Sequence, residues 1–112
     1  MLKIIIEYCL EIVKMKYVID IDGTICDQQR SGEYDRAKPY KDRIEKINEL
    51  YNDNTIIYYT ARGSATNKDY FDMTINQLSE WGCKYHELRT RKLSYDVWID
   101  DKAHNADDWF KK

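Results

Sequence analysis

The sequence predicts an α/β fold on a parallel sheet, and three observations carry that reading. From residue 16 onward, short apolar runs alternate with segments of helical period. Acidic and hydroxyl residues stand directly after those runs, where the carboxyl ends of parallel strands would line one ligand-binding edge. The chain is also short and unbroken: 112 residues, 43% hydrophobic and 34% charged, without repeats or a linker. A domain of this size buries roughly two thirds of its unfolded surface, enough for one core and no more.

Each element follows from a local pattern. Residues 1–14 read as an N-terminal amphipathic extension. Lys3, Glu7, Glu11 and Lys14 recur at helical spacing opposite Leu2, Ile5, Ile6, Cys9, Ile12 and Val13. A secretory signal would keep its apolar stretch uncharged. The single domain then covers 15–112. Tyr17-Val18-Ile19 is the first strand, stopped at Asp20-Ile21-Asp22-Gly23, and the polar stretch Asp27 to Lys38 is a loop. Pro39 suits a first helical turn, after which Tyr40, Ile44, Ile47 and Leu50 form one stripe. Lys41, Arg43 and Lys46 alternate with Asp42 and Glu45, as on a solvated helix face. Thr55 to Tyr59 is the second strand, ended by Thr60-Ala61-Arg62-Gly63. A second helix is expected from about Thr66 to Trp81, with Gly82 as its C-terminal stop. Lys84 to Leu88 is a weaker third strand, and Val97-Trp98-Ile99 is a fourth, ending at Asp100-Asp101. The last helix begins near Ala103. The expected architecture is a three-layer, Rossmann-like parallel sheet of about four strands with flanking helices.

Composition excludes several classes. With 18 basic and 20 acidic side chains, no face is obliged to be basic, which argues against a nucleic-acid partner. No apolar run approaches the ~20 residues of a membrane span. Three cysteines without metal-type spacing imply no disulfide framework and read as reduced thiols in a cytoplasmic protein. His86 and His104 read as neither catalytic nor metal-binding, and Cys26 lacks a setting for thiolate chemistry.

The chemistry concentrates in Asp20-Ile21-Asp22-Gly23-Thr24. Two carboxylates spaced by two at a strand end can face one side, and Gly23 lets the chain turn sharply. Such a pair can hold a divalent cation or divide the roles of nucleophile and general acid/base. Asp100-Asp101 adds hard oxygen ligands of the sort Mg²⁺ prefers. Thr60 offers a hydroxyl and a backbone N–H to a phosphate, and Lys92 offers a cation.

In these four motifs the chain resembles phosphatases of the haloacid dehalogenase superfamily. The apolar strand followed by D-x-D-G-T is matched by Val18 to Thr24, and the strand ending in Thr by Ile56 to Thr60. The lysine is matched by Lys92 and the acidic pair by Ile99-Asp100-Asp101. The resemblance implies that Asp20 attacks phosphorus and that Asp22 serves as general acid/base. It further implies that Thr60 and Lys92 hold and stabilise the phosphoryl group, and that Asp20, the backbone carbonyl of Asp22, and Asp100, Asp101 or both form a Mg²⁺ site, directly or through water. Gly23, Thr24, Ala61 and Arg62 are the substrate-binding candidates. The family lysine often lies between Gly and Pro, whereas here the run is Arg91-Lys92-Leu93, so Arg91 and Lys102 are alternatives.

Larger relatives insert a cap domain between motifs, and no interval here has room for one. The site is expected to be open, unless the loop Cys26 to Lys38 or a second copy of the chain covers it. Short capless members resemble phosphatases of capsule and surface-sugar biosynthesis, which makes a sugar phosphate the expected substrate. A nucleotide or a phosphoprotein is the alternative. A receiver-like signalling domain also combines acidic residues, Thr and Lys, but its phosphorylated Asp follows the third strand, which here ends in Glu87-Leu88-Arg89. A HAD-like domain that binds phosphate without turnover is the remaining rival.

Overall fold

In a computed structural model the chain is described over residues 14–111, so the expected amphipathic extension lies almost entirely outside the described residues. Strand β1 covers Lys16–Ile19, helix α1 Lys41–Tyr51, strand β2 Thr55–Tyr59, helix α2 Phe71–Glu80, strand β3 Glu87–Arg89 and helix α3 Ala106–Phe110. The fold is α/β, with a parallel sheet in the order β1-β2-β3. β2 is central: Tyr17 pairs with Ile56 and Ile19 with Tyr58 on one side, and Tyr58 with Leu88 on the other. All three strands therefore end at one edge.

β2 reads Thr-Ile-Ile-Tyr-Tyr and is buried through its middle, as expected of a β-branched and aromatic run in a parallel sheet. Ile44 and Ile47 of α1 and Leu78 of α2 pack with Ile56 and Tyr58 into the core, which Ile21, Ile25 and Cys26 complete. Those three follow β1 directly, so the first motif is anchored by its own apolar residues.

Four boundaries differ from the sequence expectation. α2 begins at Phe71 rather than near Thr66. The preceding stretch is held as a loop by left-handed backbone at Gly63 (φ 85°) and Asn67 (φ 56°), and Asp69 Oδ1 accepts the Phe71 N–H at 2.9 Å. β3 is Glu87–Arg89 rather than Lys84 to Leu88. His86 is used just before it, exchanging bonds with the backbone of Ile56: its N–H donates to the Ile56 carbonyl and its Nδ1 accepts the Ile56 N–H. α3 starts at Ala106, where Asn105 Oδ1 accepts the N–H groups of Asp107 and Asp108.

The fourth boundary is a missing strand. Among the described residues the sheet has three strands rather than about four, and Val97 and Ile99 are 73% and 90% exposed. The run pairs with no strand, and Asp100 draws the chain into a local turn instead. Its Oδ1 accepts from the N–H groups of Lys102 and Ala103, both at 2.7 Å, and its Oδ2 from the Trp98 indole at 2.7 Å.

The charged face expected on α1 is partly covered. Arg43 lies over the rings of Tyr40 and Phe110 and pairs with Asp107 at 2.8 Å, and Lys46 lies over Trp109. These contacts dock α3 on α1.

Candidate functional site

The end of β1 delivers Asp20, the end of β2 delivers Thr60, and the end of β3 delivers Lys92. Thr60 and the turn after β3 are tied by two backbone bonds, Thr60 N–H to Arg89 carbonyl at 2.9 Å and Lys92 N–H to Thr60 carbonyl at 3.1 Å. Lys92 thus enters from a strand end, and no helix is needed between it and residue 100.

Asp20 is the centre. Lys92 Nζ lies 3.4 Å from its Oδ1, and the Thr24 hydroxyl donates to its Oδ2 at 3.3 Å. Its side chain keeps 36% exposure, so one face remains open to solvent. Burial raises its pKa and Lys92 partly opposes that shift. Gly23, at φ 84°, folds the chain back so that its N–H reaches the Cys26 carbonyl and the Thr24 N–H reaches Ile21. A side chain at Gly23 would be strained by that backbone alone. The Thr60 hydroxyl, almost fully buried, accepts the Arg62 N–H at 3.1 Å.

Asp22 does not share Asp20's partner. Arg62 grips it with Nε to Oδ2 at 2.9 Å and Nη2 to Oδ1 at 2.8 Å. The guanidinium side chain is only 1% exposed. Its remaining nitrogen, Nη1, donates to Gln77 Oε1 at 2.7 Å and Thr74 Oγ1 at 3.2 Å, and the Tyr34 ring covers it at 4.8 Å. The Arg62 side chain, expected in the substrate-binding set, is committed to Asp22, Gln77 and Thr74. Nothing in the spacing of Thr60-Ala61-Arg62 distinguished these roles; the burial of Thr74 and Gln77 on the inner face of α2 does.

Tyr34, from a short 3-10 turn at Tyr34–Arg36, was not singled out from the sequence. Its carbonyl accepts the Gln77 side chain at 2.8 Å, so the loop between Asp27 and Lys38 is pinned to α2. Cys26 donates weakly to Asp22 Oδ1, and burial, with the Asp22 charge, pushes its thiol up to about 12, which keeps it protonated. Of the alternatives to Lys92, neither Arg91 nor Lys102 contacts Asp20 among the described residues.

The acidic pair does not join this centre. Asp100 and Asp101 are exposed, the Asp100 oxygens are occupied as described above, and both Asp22 oxygens are held by Arg62. Among the described residues no group of three or more His, Cys, Asp and Glu side chains could hold a metal ion. As arranged, the side chains of the expected Mg²⁺ set do not meet: Asp100 would have to leave its present turn to join Asp20 and the Asp22 carbonyl.

The loops after β2 and β3 line an open cleft of about 530 Å³, and Lys92, the partner of Asp20, is one of its lining residues. Such a volume suits a small metabolite.

No family model and no curated protein matches the chain. A crystal structure of a structural-genomics target from Vibrio cholerae is similar to it at a TM-score of 0.75 and 24% identity, over 85% of this chain and 86% of that one. The likeness supports the fold alone. No described helix is long and apolar enough to cross a membrane.

Proposed function

We propose that the chain is a phosphomonoesterase that works through an aspartyl-phosphate intermediate, acting on a small phosphorylated metabolite, a sugar phosphate. The observation that carries this reading is the placing of Lys92 and Thr24 on the two oxygens of Asp20, with Thr60 bonded through its backbone to Lys92. A free Asp20 oxygen lone pair attacks phosphorus, and the bond to the leaving oxygen breaks as Asp22 protonates that oxygen. Water then attacks the acyl phosphate, Asp22 takes its proton, and inorganic phosphate leaves with Asp20 restored. Lys92 offsets the charge that gathers on the phosphoryl oxygens, and Arg62 keeps Asp22 aimed.

Mg²⁺ enters this reading through the four-motif resemblance, and no step above is routed through it. A second copy of the chain covering the open site is part of the same proposal. The decisive experiment is phosphate release from p-nitrophenyl phosphate and a panel of sugar phosphates, nucleotides and phosphopeptides, with Asp20→Asn as the control. Release from sugar phosphates that the control lacks is expected. Release from nucleotides or phosphopeptides alone would move the substrate class, and no release from any compound would overturn the reading.

A further inference from the structure

The cavity that Lys92 lines has an asymmetric charge that catalysis does not use. Lys92 itself is already committed to Asp20. Lys68, from the loop after β2, and Arg91, from the turn after β3, stand on its walls, and neither has an ion-pair or hydrogen-bond partner among the described residues. The one carboxylate in the wall, Asp69, gives an oxygen to the Phe71 N–H. The rings of Tyr70 and Phe71 supply flat apolar surface.

Both walls are held by unusual backbone. Arg91 has φ 64°, a left-handed conformation uncommon outside glycine, and such strain gathers at ligand sites. Opposite, Gly63 lies so close to the Lys68 carbonyl that a Cβ would overlap it, which fixes the loop bearing Lys68. Two cations without partners, on separately braced loops facing one cavity, make an anion-binding cleft.

We propose that this cavity is a leaving-group site selecting phosphate monoesters whose polyhydroxylated body carries a second acidic group, a carboxylate or a second phosphate. The proposal rests on the phosphatase reading, since it places the scissile phosphate at Asp20 and the second anion between Lys68 and Arg91.

Binding and turnover separate the two claims. Titration calorimetry on Asp20→Asn would use glucitol 6-phosphate, 6-phosphogluconate, which replaces a terminal alcohol by a carboxylate, and glucitol 1,6-bisphosphate. At least one acidic compound is expected to bind roughly tenfold tighter than the neutral one, the order expected of two partly exposed cations acting together. Which of the two does so identifies the second anion. Adding Lys68→Ser and Arg91→Gly should abolish the difference; glycine suits the φ at 91, and melting curves would check folding. With Asp20 intact, the same two substitutions should remove the preference for the acidic compound in phosphate release as well. Equal binding of all three compounds, or a preference that survives loss of both cations, would overturn the leaving-group site. Failure of the native chain to release phosphate from any compound would reject the phosphatase reading alone, because the binding ratio still decides the cavity.

Discussion

At Asp20 the needs of folding and of attack oppose each other. Burial favours the neutral acid, whereas a nucleophile must be ionised. Because its folded pKa lies above the unfolded value, the native state binds more protons between the two, and this group's contribution to stability falls as pH rises through that window. Asp20→Asn is therefore expected to melt higher than the native chain at pH 7, with the gain shrinking as pH falls and vanishing below the unfolded carboxylate value. The same shift places the acid limb of the activity profile above that of an ordinary carboxylate. A lower melting temperature for Asp20→Asn at pH 7 would contradict both. Asp22→Asn makes a different demand. With p-nitrophenyl phosphate, attack should proceed and hydrolysis of the intermediate should lag, giving a burst and ~80 Da on the Asp20 peptide, as for one phosphoryl group. A label on position 22, or an active Asp20→Asn, would reverse the roles. Arg62→Ala should destabilise by about 3–5 kcal/mol in denaturant melts, since it leaves the Asp22 carboxylate with no cation and Gln77 without its donor. A loss under ~1 kcal/mol would mean that the buried pair is dispensable.

At the scale of elements, the loops after the strands matter more than the strands. Gly63→Ala should lower stability by at least ~1–3 kcal/mol, the cost of a non-glycine residue in such backbone, with overlap against Lys68 added. It should also weaken binding in the adjacent cavity, and unchanged melting would show that the loop has room. The sequence made β1, β2 and α1 legible because each buries a regular apolar pattern. It misjudged the start of α2 because the turn chemistry of residues 64 to 70, a left-handed Asn67 and an Asp69 side chain that accepts the Phe71 N–H, leaves no mark in a hydropathy pattern. Val97-Trp98-Ile99 reads like a buried strand by composition, yet a three-residue run says nothing of whether a partner strand exists. Asp20 and Thr60 were legible because each directly follows a strand, whereas Lys92, three residues past β3, was reached through the motif resemblance. The role of Arg62 was not legible, because it depends on Thr74, Gln77 and Tyr34, which only packing brings to it.

Across the whole molecule, positive charge at the centre is already spent on the aspartates: Lys92 on Asp20 and Arg62 on Asp22. A bound phosphate monoester, with charge of about −1.5 to −2 near neutral pH, brings more negative charge than Lys92, shared with Asp20, can balance alone. A divalent ion is the simplest remedy, and Asp100-Asp101 is the acidic pair that the four-motif resemblance offers for it. For those carboxylates to take up Mg²⁺, Asp100 must release the N–H groups of Lys102 and Ala103 and the Trp98 indole. That exchange has a direct optical signature, because the Trp98 ring would lose a 2.7 Å hydrogen bond and change its surroundings. Mg²⁺ is therefore expected to shift tryptophan emission in the native chain, and Trp98→Phe should abolish the shift while Trp81 and Trp109 remain. Asp100→Asn with Asp101→Asn should abolish it as well, and EDTA should stop phosphate release in parallel with reversing it. Activity that is unaffected by EDTA, together with emission that is unaffected by Mg²⁺, would mean that the segment keeps its present turn and that Lys92 and Thr60 meet the phosphate without a metal.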